Sequence, residues 1–278
     1  MIKAKKVLFI TQEISPYVDE SVYTPLGRYL PQATQEGGKE IRTFSPKWGK
    51  INERRNMLHE VIRLSGMNII IDDTDHPLII KVASIQAARL QVYFIDNDDY
   101  FNKRLAFADE KGQEYEDNAE RAIFYARGVL ETVKKLRWVP EVIHCQGWIG
   151  AVLPIYIKKA YADEPCFRDV KVVYSPIDVP LEKPLPENFG EILAFRDVTA
   201  DDMADYEGND IKNLIRLAIK HADGVTFTKD SDPELVKYAE ETGVETLIAE
   251  DDEKNKIIDF YDQIWGRDKE EEEEDDDF

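Results

Sequence analysis

A parallel βαβ unit near the start of the chain is the feature that most constrains the fold. The run KVLFIT at residues 6–11 is almost continuously apolar, as expected of a strand buried on both faces. The segment PLGRYLPQATQEGG at residues 25–38 has helical character, and EIRTFSP at residues 40–46 is the next strand. Parallel neighbours need such a crossover, so these residues predict the first two strands of a parallel sheet.

The helix of this unit carries its own boundary signals. Thr24 is the predicted N-cap, Pro25 the first helical residue, and the pair Gly37 and Gly38 the stop. Pro31 lies inside the segment and predicts a kink or a new helical start. No G-x-G-x-x-G follows the first strand, which excludes the dinucleotide-binding fingerprint.

The remaining elements extend the sheet and supply its helices. Three closely spaced strands, MNIIID, LIIKVAS and RLQVYFID, predict a β-meander inserted between βα units. Further helices are predicted at 115–138, 148–161, 208–223, 232–243 and 252–265, and further strands at 142–145, 170–175 and 224–229.

Together these elements predict an α/β fold with a doubly wound, mostly parallel sheet. We expect one α/β domain at residues 1–265, followed by an acidic disordered tail at 266–278. The Pro-rich, acidic stretch at 176–207 is predicted to be either an ordered loop of short turns or a mobile lid.

Charge excludes several classes of ligand. The net charge is −20, of which the run EEEEEDDD at residues 270–277 supplies eight and leaves −12 on the remainder. An acidic body disfavours nucleic acid and anionic membrane surfaces, because phosphates need clustered Lys and Arg. The acidic run is predicted to be a solvated tail, with a docking role as the alternative.

The cysteines, the histidines and the hydropathy pattern bear on metal binding and on cellular location. Cys145 and Cys166 form no C-x-x-C pair, and the histidines other than His144 show no metal-ligand spacing. The sequence therefore predicts no metal site and no cofactor. The apolar run at residues 7–10 is too short for a signal peptide, and no stretch approaches a membrane span, so a cytoplasmic location is predicted.

Four segments carry a resemblance to a known family. In chain order they are KVLFITQEISPYVDESVYTPLGRYLP, YFIDNDDYFNKR, WVPEVIHCQGWIGAVLPIYIKKAY and LIRLAIKHADGVTFTKDSDPEL. Their text, order and spacing resemble the N-terminal domain of bacterial glycogen synthases and plant starch synthases, over roughly residues 5–245.

The resemblance implies both a fold and a reaction. The domain is expected to be the Rossmann-like half of a two-domain GT-B glycosyltransferase, and the family reaction moves glucose from a nucleotide-sugar to the end of an α-1,4-glucan. Family enzymes have a second domain that supplies most of the nucleotide pocket. The sequence shows no phosphate-binding signature of such a domain, so a partner chain is expected to supply it.

The first loop departs from the family pattern. There the family carries K-x-G-G-L, which is similar to an anion cradle because glycines let the backbone approach the donor and Lys adds positive charge. The same positions here are Asp19, Glu20, Ser21, Val22 and Tyr23. Two carboxylates repel a diphosphate, and Val22 resists the positive φ that glycine permits, so the donor site is expected to be degenerate.

The central motif departs as well. The family's H-A-H-D-W-H aligns with residues 144–149 of the stretch EVIHCQGWIG, where His144 and Trp148 are retained. The second family histidine is Gln146 and the aspartate is Gly147. The resemblance implies His144 and Gln146 as candidate catalytic residues, since the reaction needs polar groups around a developing oxocarbenium ion. A histidine hydrogen-bonded locally within the turn is the alternative for His144.

Candidate substrate-binding residues follow from the same alignment: Glu13, Asp19, Tyr93, Asp96, His144 and Trp148. Three of them have a structural alternative in addition to the one given for His144. Glu13 is alternatively a residue that orients the first loop through backbone hydrogen bonds. Tyr93 and Trp148 are alternatively core residues.

Two functions of different classes remain open. The chain is either a glycogen or starch synthase-like protein of α-glucan metabolism, inactive until a partner supplies the nucleotide-binding domain, or a non-catalytic glucan-binding, regulatory or scaffold subunit. The predicted ligands are an α-glucan or a nucleotide-sugar. A generic nucleotide-sugar-binding domain is a third reading.

Overall fold

Ten strands form one sheet in the computed structural model, which describes residues 2–276 and their side chains up to Arg267. The strands are β1 (Lys6–Ile10), β2 (Glu40–Pro46), β3 (His59–Glu60), β4 (Met67–Ile71), β5 (Thr74–Ile85), β6 (Leu90–Asp96), β7 (Val142–Gln146), β8 (Lys171–Ser175), β9 (Gly224–Phe227) and β10 (Glu245–Ile248). Their order is β10-β9-β8-β7-β1-β2-β6-β5-β3, and β4 pairs with β5.

Pairing from β10 through β6 is parallel throughout. Strand β5 is antiparallel to β6, β4 and β3. These patterns confirm the predicted mostly parallel sheet and the inserted β-meander. The sequence analysis missed β3 and β10, which have two and four residues and lie at the two edges of the sheet, where the apolar signal is weakest.

Helices cover both faces of the sheet. Within the described residues they are α1 (Leu30–Glu36), α2 (Asn118–Leu136), α3 (Leu153–Ile155), α4 (Phe189–Leu193), α5 (Lys212–Lys220), α6 (Pro233–Thr242) and α7 (Lys254–Asp276). Alternate residues of β1 point to opposite layers. Leu8 and Ile10 pack in the cluster built with α2, α3 and α5, whereas Val7 and Phe9 pack in the cluster built with α7.

The first crossover differs from its predicted form. Residues Pro25–Tyr29 make one π-helical turn, and α1 begins only at Leu30, with Pro31 in its first turn. The predicted new start at Pro31 is confirmed, but the predicted cap is wrong. Thr24 has helical φ and ψ of −60° and −42°, and its hydroxyl accepts a hydrogen bond from the Ser21 N–H at 2.9 Å instead of capping the turn.

Other boundaries show the same mixture of agreement and correction. Asp232 caps α6 by accepting from the Glu234 N–H at 2.9 Å, which agrees with the helix predicted from residue 232. The helix predicted at 148–161 is broken into a 3-10 turn, α3 and a π-helical turn, because Pro154 has no N–H to donate. The acidic stretch at 176–207 contains α4 and a 3-10 turn at Ala200–Met203, in line with the ordered alternative.

Helix α7 runs from Lys254 to Asp276, so its backbone continues past the boundary predicted at residue 265. The division into a domain at 1–265 and a tail at 266–278 stays a prediction, and residues 277 and 278 lie outside the described residues. Among the described helices, we find none that combines the length and the apolar composition needed to cross a bilayer.

Candidate functional site

The strand order reverses between β1 and β7. The chain leaves β1 toward β2 on one side, and it leaves β7 toward β8 on the other. Open parallel sheets bind ligands in the crevice at such a reversal, outside the carboxyl ends of the strands. Here that edge carries Gln12 after β1, Gln146 at the end of β7 and Ser175 at the end of β8.

His144 lies on β7, two residues before the carboxyl end of the strand. Its side chain is fully buried, with Nδ1 2.7 Å from the Tyr261 hydroxyl of α7 and Nε2 2.7 Å from the Ser175 hydroxyl. Ser175 is in turn hydrogen-bonded to the Thr226 hydroxyl on β9. Burial lowers the pKa of His144 to about 3, so the ring is neutral. Both ring nitrogens are occupied by hydrogen bonds within the protein.

Gln146 lies on the same face of β7 but two residues closer to the edge. It is 1% exposed, and its Nε2 donates to the Leu26 carbonyl at 3.0 Å. Its Oε1 has no hydrogen-bond partner among the described residues. The indole Nε1 of Trp148, which is fully buried, also has none.

Gln12 completes this polar cluster from the neighbouring strand. Its side chain is 1% exposed, and neither Nε2 nor Oε1 meets a partner with hydrogen-bond geometry in the described part of the chain. Gly147 lies directly against it with φ of +69°, and a Cβ there would come within 2.3 Å of Gln12 Oε1. A side chain at residue 147 would force the Gln12 amide to move, and the positive φ itself favours glycine, so Gly147 lets the Gln12 amide lie against the end of β7.

The loop after β1 covers the cluster. Glu13 accepts a hydrogen bond from the Ser21 hydroxyl at 2.8 Å, and burial raises the Glu13 pKa more than that bond lowers it. Asp19 is exposed on the outer side of the loop. Tyr23 is 6% exposed and donates its hydroxyl to the Asp178 carbonyl at 3.0 Å, in the loop after β8.

Two other predicted residues make their contacts within the sheet. Tyr93 stacks on Phe44 with ring centroids 5.1 Å apart, and its hydroxyl bonds to Gln91 and Arg42. Asp96 is 3% exposed and is held by the Lys81 ammonium at 2.7 Å. The structure therefore places His144 and Gln146 on β7, Trp148 just after it and Glu13 in the loop after β1, whereas the contacts of Tyr93 and Asp96 serve the sheet itself.

Three residues near the edge were not found from the sequence. Gln12 carried no motif, although its position at the end of the first strand is a signal that could have found it. Tyr23 was seen only as a departure from the family loop. Tyr261 gave no local signal, because it reaches His144 from 117 residues away.

Metal binding has no support in the described residues, since no three His, Cys, Asp or Glu side chains there are grouped to hold an ion. The absence of a cofactor stays a prediction.

Comparison with known proteins assigns the chain to a family. The family model described as the starch synthase catalytic domain matches residues 6–250. The chain belongs to the starch synthase catalytic domain family. Helix α7 therefore lies outside the matched region, although its Tyr261 contacts the central motif of the family at His144.

Curated relatives of the chain include glycogen synthases. The chain is 36% identical to the glycogen synthase of Chlorobium limicola over 224 residues, which cover 80% of this chain and 45% of that protein. It is 37% identical to that of Chlorobaculum tepidum over 239 residues, which cover 83% and 48%. The chain thus spans about half the length of the curated relatives it matches.

A solved structure supports the fold. The catalytic domain of Starch Synthase IV from Arabidopsis thaliana, bound to ADP and acarbose, matches with a TM-score of 0.69 and 14% identity. The match covers 88% of this chain and 51% of that one. It confirms the Rossmann-like half of a GT-B architecture for the starch synthase-like domain.

Proposed function

We propose that this chain is a glycogen or starch synthase-like protein of α-glucan metabolism, and that the carboxyl edge of its sheet binds the glucan. The observation that carries the proposal is the set of unpartnered, buried polar atoms on Gln12, Gln146 and Trp148. Each such atom costs about 1–3 kcal/mol of folding free energy when it is left unpaired. A ligand that pairs with them recovers part of that cost.

The chemistry of these atoms matches a neutral sugar. Gln12 offers a donor and an acceptor, Gln146 offers an acceptor, and Trp148 offers a donor. A sugar hydroxyl both donates and accepts, so it can pair with any of them. None of the three side chains carries a charge that would select an ion.

A nucleotide-sugar is a poorer match to the same edge. Its diphosphate needs Lys, Arg or free backbone N–H groups. The loop at residues 12–23 contains no Lys or Arg, and it presents the exposed carboxylates of Asp19 and Glu20. The described residues therefore favour the glucan over the donor.

Glucose transfer would need more than this chain's described residues provide. His144 is neutral and hydrogen-bonded at both nitrogens, so it offers no free base or acid at the crevice. The family reaction would take place only with a nucleotide-binding half, for which we propose a partner chain. Without one, the glucan-binding or regulatory role is the function that the site supports.

Thermal stabilisation by ligands tests the proposal. Maltohexaose, ADP-glucose and UDP-glucose are titrated separately. A ligand at 100 times its Kd stabilises a protein by about 2.7 kcal/mol, which is a measurable shift in Tm. We expect a concentration-dependent rise in Tm with maltohexaose alone. A rise with either nucleotide-sugar would show that a donor site survives and would call for an assay of transfer, whereas silence from maltohexaose would overturn the proposal.

Two variants locate the binding site. Gln146→Leu removes the unpaired acceptor, and we expect a loss of maltohexaose affinity of about tenfold, because one hydrogen bond in a buried site contributes roughly 1–1.5 kcal/mol. Gln263→Leu makes the same change at an exposed glutamine of α7 and should bind like the wild type. Equal affinities for the two variants, measured by calorimetry, would place the glucan elsewhere.

A further inference from the structure

The proposed glucan site is closed in this structure. Gln12, Gln146 and Trp148 are 1%, 1% and 0% exposed, so their unpartnered atoms do not meet solvent. A glucan chain end could reach them only if something that covers the crevice moved.

The cover crosses the end of β7. Strand β7 lies between β1 and β8 in the sheet. A bond that joins the loop after β1 to the loop after β8 must therefore pass over the carboxyl end of β7, where Gln146 lies. The hydrogen bond from the Tyr23 hydroxyl to the Asp178 carbonyl, at 3.0 Å, is such a bond.

The Tyr23 side chain fits this position tightly. It is 6% exposed, and burial raises its pKa, so the hydroxyl stays protonated and able to donate. The Gln12 amide faces the Tyr23 hydroxyl and lowers that pKa in part as a hydrogen-bonding neighbour, although the two groups miss hydrogen-bond geometry in this structure. Tyr23 thus lies beside Gln12 on the connection that crosses the end of β7.

The residues just before Tyr23 are held far less firmly. Asp19, Glu20, Ser21 and Val22 are all exposed, and Val22 is 60% exposed. Their side-chain hydrogen bonds run to nearby residues of the same region, such as Ser21 to Glu13 and Tyr29 to Glu20. Segments with few buried apolar contacts open at low free-energy cost.

Both ends of the segment are anchored. Tyr17 packs edge-on against Phe94 with ring centroids 4.9 Å apart. Beyond the segment, the backbone at Gly27 packs on the loop after β1, since a Cβ there would come within 2.2 Å of the Glu13 carbonyl oxygen. The Gly27 N–H donates to the Tyr23 carbonyl at 2.7 Å, so this amide reports on movement of Tyr23. The part that can swing is therefore limited to residues 18–24.

We propose that residues 18–24 form a lid over the end of β7, and that the Tyr23–Asp178 hydrogen bond is its latch. The glucan must displace Tyr23 to reach Gln12, Gln146 and Trp148. The assignment of the glucan rests on the proposed function, whereas the lid itself rests only on the contacts of this segment.

The variant Tyr23→Phe tests the latch because it removes one hydroxyl and keeps the ring. Hydrogen exchange of the ligand-free chain is followed in peptides that cover residues 23–27 and 145–149, which include the Gly27 and Gly147 amides. We expect both peptides to exchange about 2- to 10-fold faster, as the loss of one hydrogen bond predicts. Tyr156→Phe is the matched control, since that buried hydroxyl donates to the Leu193 carbonyl at 2.8 Å away from the lid.

Maltohexaose binding gives the second measurement. When the competent state is a minor population, the apparent Kd falls in proportion as that population grows. Tyr23→Phe should therefore bind maltohexaose about 2- to 10-fold more tightly than the wild type. Tyr23→Ala should exchange faster still, and its thermal unfolding shows whether it remains folded.

The outcomes separate the lid from the proposed function. Unchanged exchange in Tyr23→Phe overturns the lid, whatever the ligand does. Faster exchange with an unchanged Kd overturns its role as a gate. Faster exchange with no maltohexaose binding in any variant supports the lid but overturns the glucan assignment.

Discussion

His144 shows how a residue from a functional motif can be given a structural task. Burial lowers its pKa from 6.5 to about 3, and its two hydrogen bonds join β7 to β8 and α7. The folded chain therefore binds this proton less readily than the unfolded chain. The stability that depends on neutral His144 is complete above pH 6.5 and is lost as the pH falls toward 3.

A pH series of unfolding measurements checks this assignment. Between about pH 6 and 4, the wild-type free energy of unfolding should fall by up to about 1.4 kcal/mol per pH unit more than that of His144→Gln, because one extra proton is taken up on unfolding. His59→Gln changes an exposed histidine and should keep the wild-type slope. Identical slopes for wild type and His144→Gln would mean that His144 is charged in the folded chain.

Gly147 is the second residue at which the structure disfavours any other amino acid. The variant Gly147→Ala adds a Cβ within 2.3 Å of Gln12 Oε1 and strains a backbone at φ +69°. We expect a loss of about 1–3 kcal/mol in the free energy of unfolding, together with loss of maltohexaose binding. Gly112→Ala is the control, since φ there is +80° but no atom lies within 4 Å, and it should keep full binding.

At the scale of elements, α7 is tied to the opposite end of the chain. Asp262 accepts hydrogen bonds from the Ala4 N–H at 2.9 Å and from the Lys39 ammonium at 2.5 Å. The two charged side chains are only 9% and 7% exposed. A buried ion pair of this kind is costly to break from one side, because the remaining charge stays buried.

This ion pair predicts that removing one charge costs more stability than removing both. Asp262→Ala should lower the free energy of unfolding by about 3–5 kcal/mol, because it leaves Lys39 without its carboxylate. The double variant Lys39→Met with Asp262→Leu should recover most of that loss, since both charges are removed. Denaturant unfolding measures both, and a double variant no more stable than the single one would show that the carboxylate serves mainly the Ala4 N–H.

For the whole molecule, α7 covers one face of the sheet and is expected to be needed for a stable fold. It buries five large side chains against the sheet: Ile257, Phe260, Tyr261, Ile264 and Trp265. Each contributes about 1.5–3 kcal/mol, so together they rival the 5–15 kcal/mol by which a typical domain is stable. A chain cut after Glu253 should lose cooperative thermal unfolding.

A chain cut after Arg267 is the matched control. It keeps all five side chains and removes only the acidic end, so its Tm should stay near that of the full chain. Circular dichroism melts compare the two. Cooperative unfolding of the shorter chain at the full-length Tm would show that the matched residues 6–250 fold without α7.

The sequence was informative wherever the signal is local. The apolar runs and their spacing predicted the parallel sheet and the meander, because parallel neighbours need a long crossover whereas antiparallel neighbours can follow each other closely. It failed where two local groups compete, as at Thr24, whose hydroxyl pairs with the Ser21 N–H. It could not find contacts between distant segments, such as Tyr23 with Asp178, since no pattern links residues 155 apart.

The contact between Ala4 and Asp262 also has a consequence for biosynthesis. The two residues are 258 positions apart, and a ribosome that adds about 5–20 residues per second needs roughly 10–50 s to travel between them. Throughout that interval Val7 and Phe9 lack the cover that α7 will provide. The nascent chain therefore displays an apolar sheet face until α7 has been synthesised, and a chaperone that binds exposed apolar surface would act during this interval.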